Sequence, residues 1–156
     1  MSAAHDIHHS VFDRLLDGEA GAGRPTGPSL AALRRNVRRD LETLLNTRRR
    51  FLSVPRGLTA VADSMVVYGI PDFSSVNLGS PREQERLRGD IEKAVRRFEP
   101  RLERVRVNLQ PARDGGSRVL RLRIEAFLKL GPATEPISFD SVIDPTSRNV
   151  SVTVDG

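Results

Sequence analysis

Residues 87–109 read LRGDIEKAVRRFEPRLERVRVNL, and the period of their apolar positions changes partway along. Leu87, Ile91, Ala94, Val95 and Phe98 recur every three or four residues, the stripe of a helix with one buried face. Beyond Pro100, Val105, Val107 and Leu109 alternate with Arg104, Arg106 and Asn108, the period of a strand with one buried face. Pro100 marks the change, because it disfavours helical backbone at Glu99 and offers no N–H of its own. A helix therefore hands over directly to a strand.

Upstream, Ser80-Pro81-Arg82-Glu83 reads as the start of that helix. Ser80 caps, Pro81 takes the first helical position, and Glu83 completes a capping box. Residues 51–79 are punctuated by Pro55, Gly57, Gly69, Pro71 and Gly79. Ser64 to Tyr68 fits a short helix or a strand, and Tyr68-Gly69-Ile70-Pro71-Asp72-Phe73 reads as a rigid turn with apolar anchors. Before it, Ser29 is an N-cap, and Leu30, Leu33, Val37, Leu41, Leu44 and Leu45 form one stripe on a helix ending near Thr47. Leu41 and Ile91 are central in the two stripes and are expected to be buried against a sheet. Arg34, Arg35, Arg38 and Arg39 read as that helix's solvated face. Arg48, Arg49 and Arg50 stand where cations complement the helix dipole.

Downstream, Asp114-Gly115-Gly116-Ser117 is a hairpin signal. Leu120, Leu122, Ile124, Ala126, Leu128 and Leu130 continue the alternation until Gly131-Pro132 breaks it. Ile137, Phe139 and Ile143 suggest a third strand, and Val150, Val152 and Val154 a last one after Asp144-Pro145. The expected class is α+β, with two amphipathic helices packed on one face of an antiparallel sheet of about four strands. Residues 11–156 are expected to form a single domain. Residues 1–10, with His5, His8 and His9, read as a disordered tail. Between them, Val11, Phe12, Leu15 and Leu16 make a short amphipathic turn, and Gly18 to Pro28 a loop.

The chain has 156 residues, 38% of them apolar, and no cysteine. Disulfides and thiolate chemistry are excluded, and no apolar run reaches the roughly 18 residues that a membrane span needs. Met1 to Ser10 lacks the basic start and apolar centre of a secretory signal. These features point to the cytoplasm. The net charge is +5, carried almost wholly by arginine, since only Lys93 and Lys129 are lysine. Twenty acids are interleaved with the bases, and there are one tyrosine and no tryptophan to stack on bases. That speaks against nucleic-acid binding.

Glu99-Pro100-Arg101 is the most unusual local group, an acid and a base held either side of a forced break. A proline-fixed pair suits a partner that meets a preorganised ionic contact, and the pair is expected to become buried on docking. The alternative is an internal salt bridge that holds the corner. A glycosidase would need two carboxylates about 5 to 10 Å apart in a cleft, and Glu99 with Glu103 or Glu125 could be named. The scarcity of sugar-stacking aromatics opposes it. No histidine lies where a nucleophile triad would hold it, and no metal or cofactor motif is present.

Phe12-Asp13-Arg14-Leu15, Asp40-Leu41-Glu42-Thr43-Leu44-Leu45-Asn46-Thr47-Arg48, Ser64 to Asp72, and Phe98-Glu99-Pro100-Arg101-Leu102 occur in that order. Together they resemble the TssE family of type VI secretion baseplate proteins, over roughly residues 11–154. That family is similar to a wedge protein of contractile phage tails once labelled a lysozyme. The resemblance implies a cytoplasmic structural subunit without catalytic activity, cofactor or metal. It implies TssF and TssG as wedge partners, TssB and TssC of the sheath as neighbours, and no contact with nucleic acid or insertion in a membrane. The family's Glu-Pro-Arg motif falls on Glu99, Pro100 and Arg101, implying docking onto the wedge core, and its sheet implies strand addition with the sheath. The stretch from Gly18 to Pro28 departs from the pattern.

Overall fold

The computed structural model describes residues 29–49, 57, 59–62, 64–73, 80–111, 120–144 and 149–155. The amino-terminal tail with its three histidines, the segments Val11–Leu16 and Gly18–Pro28, Arg50 and the turn at Asp114–Ser117 lie outside the described residues.

Among the described residues, two long helices and four strands follow one another: α1 (Leu30–Asn46), a single turn α2 (Thr59–Ala62), a 3₁₀ turn (Met65–Val67), α3 (Pro81–Phe98), then β1 (Leu102–Pro111), β2 (Leu120–Leu130), β3 (Ala133–Asp144) and β4 (Asn149–Asp155). The strands form one antiparallel sheet in the order β1-β2-β3-β4. α3 packs on β1 and α1 on β4, so the helices cover the two halves of one sheet face. The α+β class and the two-helix, four-strand layout follow the sequence reading.

The apolar stripes set this packing. Leu33, Val37, Leu41, Leu44 and Leu45 of α1 and Leu87, Ile91, Ala94 and Val95 of α3 are buried against Leu120, Leu122, Ile124, Ala126 and Leu128 of β2. Leu41 is 1% exposed and Ile91 0%. Leu30, on the first turn of α1, is exposed instead. Ser29 caps α1 as expected, accepting the Ala32 N–H at 3.2 Å. Ser80 starts α3 differently from expectation: its side chain makes no cap hydrogen bond, and the helix begins on the backbone bond from Gln84 N–H to the Ser80 carbonyl, 3.0 Å. Pro81 presets the first helical dihedral and removes one donor, so the start holds without the capping box.

Ser64–Phe73 forms neither a full helix nor a strand. Ser64 caps the 3₁₀ turn, and the chain then runs beside the end of α1, with Ile70 N–H to the Thr47 carbonyl at 3.0 Å and Arg49 N–H to the Ile70 carbonyl at 2.8 Å. Ile70 and Phe73 are the buried anchors. Gly69 sits at φ 102°, and a Cβ there would stand 2.4 Å from the Thr47 carbonyl oxygen. Only glycine supplies both that dihedral and that approach. Arg48 donates to the Leu45 carbonyl at 2.9 Å and lies 4.1 Å over the Phe73 ring.

The arginine face of α1 is more than a solvated face. Arg34 reaches Glu135 on β3 at 2.6 Å, and Arg38 donates to the Val152 carbonyl of β4 at 3.2 Å. The helix lies along the margin of the sheet, so one of its polar flanks meets strand backbone instead of water.

Candidate functional site

The site is built where α3 turns into β1. α3 ends with the Glu99 N–H on the Val95 carbonyl at 2.9 Å, and Leu102 N–H returns to the Glu99 carbonyl at 3.1 Å. The Arg101 carbonyl accepts from Lys129 N–H at 2.9 Å, which fastens the corner to β2. Pro100, exposed at the apex, forbids the helix from continuing. Glu99 and Arg101 therefore flank one fixed break.

Arg101 folds back on Glu99 as a bidentate pair, Nε to Oε1 at 2.6 Å and Nη2 to Oε2 at 2.6 Å. The Arg101 backbone N–H adds a longer contact to Oε1 at 3.3 Å. Nη2 also donates to Asp40 of α1 at 2.5 Å, a contact spanning 61 residues. Asp40 in turn accepts from Arg39 at 3.3 Å. One guanidinium thus joins a carboxylate of α1 to that of the residue capping α3. Planar, doubly hydrogen-bonded pairs of this kind are among the strongest polar contacts a protein makes.

The pair is buried in the folded chain itself. Glu99 is 3% exposed, and the Arg101 side chain 12%. The expectation that burial would come only on docking is corrected here: Asp40 and the ring of Tyr68 enclose the corner from the other helix and the loop. Burial opposes the Arg101 charge, but the hydrogen bonds and charges of Glu99 and Asp40 outweigh it and raise its pKa. Tyr68 stacks edge-on against Phe98 with centroids 5.0 Å apart. Its phenol is pushed above the ordinary value by burial and by the negative charges of Asp40 and Glu99.

Sequence reasoning found Glu99, Pro100 and Arg101 but not Asp40 or Tyr68 as their companions. Asp40 directly precedes the buried Leu41, and that position on the shoulder of an apolar stripe was the available signal. The carboxylates named for glycosidase chemistry have separate surroundings. Both oxygens of Glu99 are occupied by Arg101, Glu103 pairs with Lys129 at 3.1 Å, and Glu125 is exposed on β2. Among the described residues no helix is long and apolar enough to cross a membrane.

No curated protein matches the chain in a sequence comparison. Residues 31–133, spanning both long helices, the corner, β1 and β2, match the family described as baseplate wedge protein gp25. TssE belongs to this family, so the resemblance read from the motifs holds at family level. The chain belongs to the baseplate wedge protein gp25 family and is a structural component of a baseplate of the phage-tail or type VI secretion kind.

Proposed function

We propose that this chain is the TssE-type wedge subunit of a type VI secretion baseplate, a cytoplasmic binding protein without catalytic activity. Its partners are TssF and TssG in the wedge and the first TssB/TssC ring of the sheath. The observation that carries this reading is the corner at Glu99-Pro100-Arg101. The buried ion pair fixes the backbone, and the exposed Pro100 is displayed at its apex with Arg97 and Arg104 exposed beside it. Such a rigid, basic knob presents a partner with little ordering cost. The partner contact falls on Pro100 and the outer rim of Arg101 and Asp40, with Glu99 holding Arg101 from within.

Co-purification with TssF and TssG tests this, using Pro100→Ala and Arg101→Lys. Both variants should recover less TssF and TssG, and Pro100→Ala should melt close to the unaltered chain. Full recovery by variants that melt normally would remove the corner from the docking surface. Release of reducing ends from peptidoglycan, lost in Glu99→Gln, would overturn the non-catalytic reading. Contact with the sheath is proposed to use strand addition at an edge of the sheet, where backbone groups give affinity and alternate side chains give register.

A further inference from the structure

The sheet has two outer strands, and the helices treat them differently. On β4, the side-chain amide of Asn46 stands where a neighbouring strand would. Its Oδ1 accepts the Val150 N–H at 2.9 Å, and its Nδ2 donates to the Val150 carbonyl at 2.8 Å. Arg38, two turns earlier on α1, donates to the Val152 carbonyl at 3.2 Å. Val150 and Val152 thus turn their backbone groups away from β3, and the two-residue period of an antiparallel ladder places Val154 with them. Among the described residues, nothing bonds the Val152 N–H or either backbone group of Val154.

β1 is guarded more heavily. Arg96 donates to the Val105 carbonyl at 2.8 Å, and Glu92 accepts the Val107 N–H at 3.3 Å. Glu92 is itself clamped between Arg88 at 2.9 Å and Arg96 at 2.8 Å. The strand has a bulge between Glu103 and Arg106, with Arg104 at φ 50°, and it ends at Pro111, which has no N–H. Bulges, charges and proline are ways in which proteins close an edge. β4 has neither bulge nor proline. It reads NVSVTVD, rich in strand-forming residues, and its cover is a neutral amide and a partly exposed arginine.

We propose that β4, not β1, is the edge that receives an extended segment of a partner subunit, with Asn46 as a latch over it. The segment pairs first with Val154 and the Val152 N–H, which are open among the described residues, and takes the Val152 carbonyl by displacing Arg38. It reaches Val150 by displacing Asn46, exchanging two hydrogen bonds for two. Only an extended backbone offers alternating donors and acceptors at the spacing these valines set. This inference rests on the sheath-binding reading and adds which edge is used and what holds it closed.

Two measurements test it. The first is amide hydrogen exchange on the free chain, which needs no partner. Val150 should be protected and become less so in Asn46→Ala, while Val152 and Val154 exchange fast in both. Slow exchange at Val152 and Val154 in the unaltered chain overturns the proposal. The second is capture of the TssB/TssC complex by the full chain. Val152→Pro removes an outward N–H on β4, and Leu109→Pro is the matched change on β1. Val152→Pro should weaken capture by roughly tenfold or more, Leu109→Pro should leave it near the unaltered value, and Asn46→Ala should tighten it. Equal loss in both proline variants, or loss in Leu109→Pro alone, overturns the edge assignment. Weaker capture by Asn46→Ala overturns the latch. If Val152→Pro does not fold, Asn46→Ala and the exchange rates still decide. Failure of the unaltered chain to capture sheath subunits overturns the sheath-binding reading itself, and exchange alone then decides the edge.

Discussion

Replacing Arg101 by Met removes the guanidinium and keeps most of the stem. It leaves Glu99, whose side chain is 4% exposed, without the two 2.6 Å bonds that neutralise it. What remains is the backbone N–H at position 101, at 3.3 Å. Breaking a buried pair by removing one partner costs about 3–5 kcal/mol, because the other charge stays desolvated. A chain of this size has a total stability of about 5–15 kcal/mol. At about 2–4 °C per kcal/mol, the melting temperature should fall by about 6–20 °C. The double variant Glu99→Gln with Arg101→Met removes both charges and should recover most of the loss, since apolar or neutral replacement of a whole pair is often close to neutral. Asp40→Asn should cost less, about 1 kcal/mol or below, because that side chain is 30% exposed. Urea and thermal unfolding followed by far-ultraviolet circular dichroism suit a chain with no tryptophan. Arg101→Met melting with the unaltered chain would refute the reasoning. So would a double variant as unstable as the single one.

Gly69→Ala should destabilise by about 2–4 kcal/mol, since it adds a left-handed dihedral for a non-glycine residue to a Cβ 2.4 Å from the Thr47 carbonyl oxygen; urea midpoints check it, and a shift equivalent to less than about 0.5 kcal/mol would contradict it. Tyr68 is the single tyrosine, so phenolate absorbance reports its titration directly, and the midpoint should lie above 10.0 in the folded chain and fall back in urea. Because the folded state holds that proton more tightly, Tyr68 contributes stability that is full below the unfolded pKa and is lost as pH rises beyond it; Tyr68→Phe should flatten this alkaline decline. Ser141 is 2% exposed, and its hydroxyl has no hydrogen-bond partner among the described residues. Ser141→Ala should therefore be neutral or stabilising by up to about 1 kcal/mol, whereas a loss of about 1 kcal/mol or more in thermal unfolding would show that the hydroxyl is satisfied.

Much of this protein is local and could be read without coordinates. The two apolar stripes needed only their spacing, because a helix or a strand buries whatever its own period brings to one face. Pro100 ended α3 by its chemistry alone, and Ser29 capped α1 through a contact three residues away. The motif at Glu99-Pro100-Arg101 was visible for the same reason, since its acid, break and base are consecutive.

The tertiary structure decided what lies between distant residues. Arg101 meets Asp40 across 61 residues, and Asn46 meets Val150 across 104. Neither spacing follows any periodicity, because each depends on where α1 comes to rest on the sheet. That placement converts the arginine flank of α1 from a solvated face into a cover for β4 and turns a partner-dependent ion pair into one buried in the free chain. Which edge stays open is likewise a property of the packed whole: the alternation of valines in β4 fixes which way its side chains and its backbone groups point, but only the packed helices determine which of those groups already have a partner.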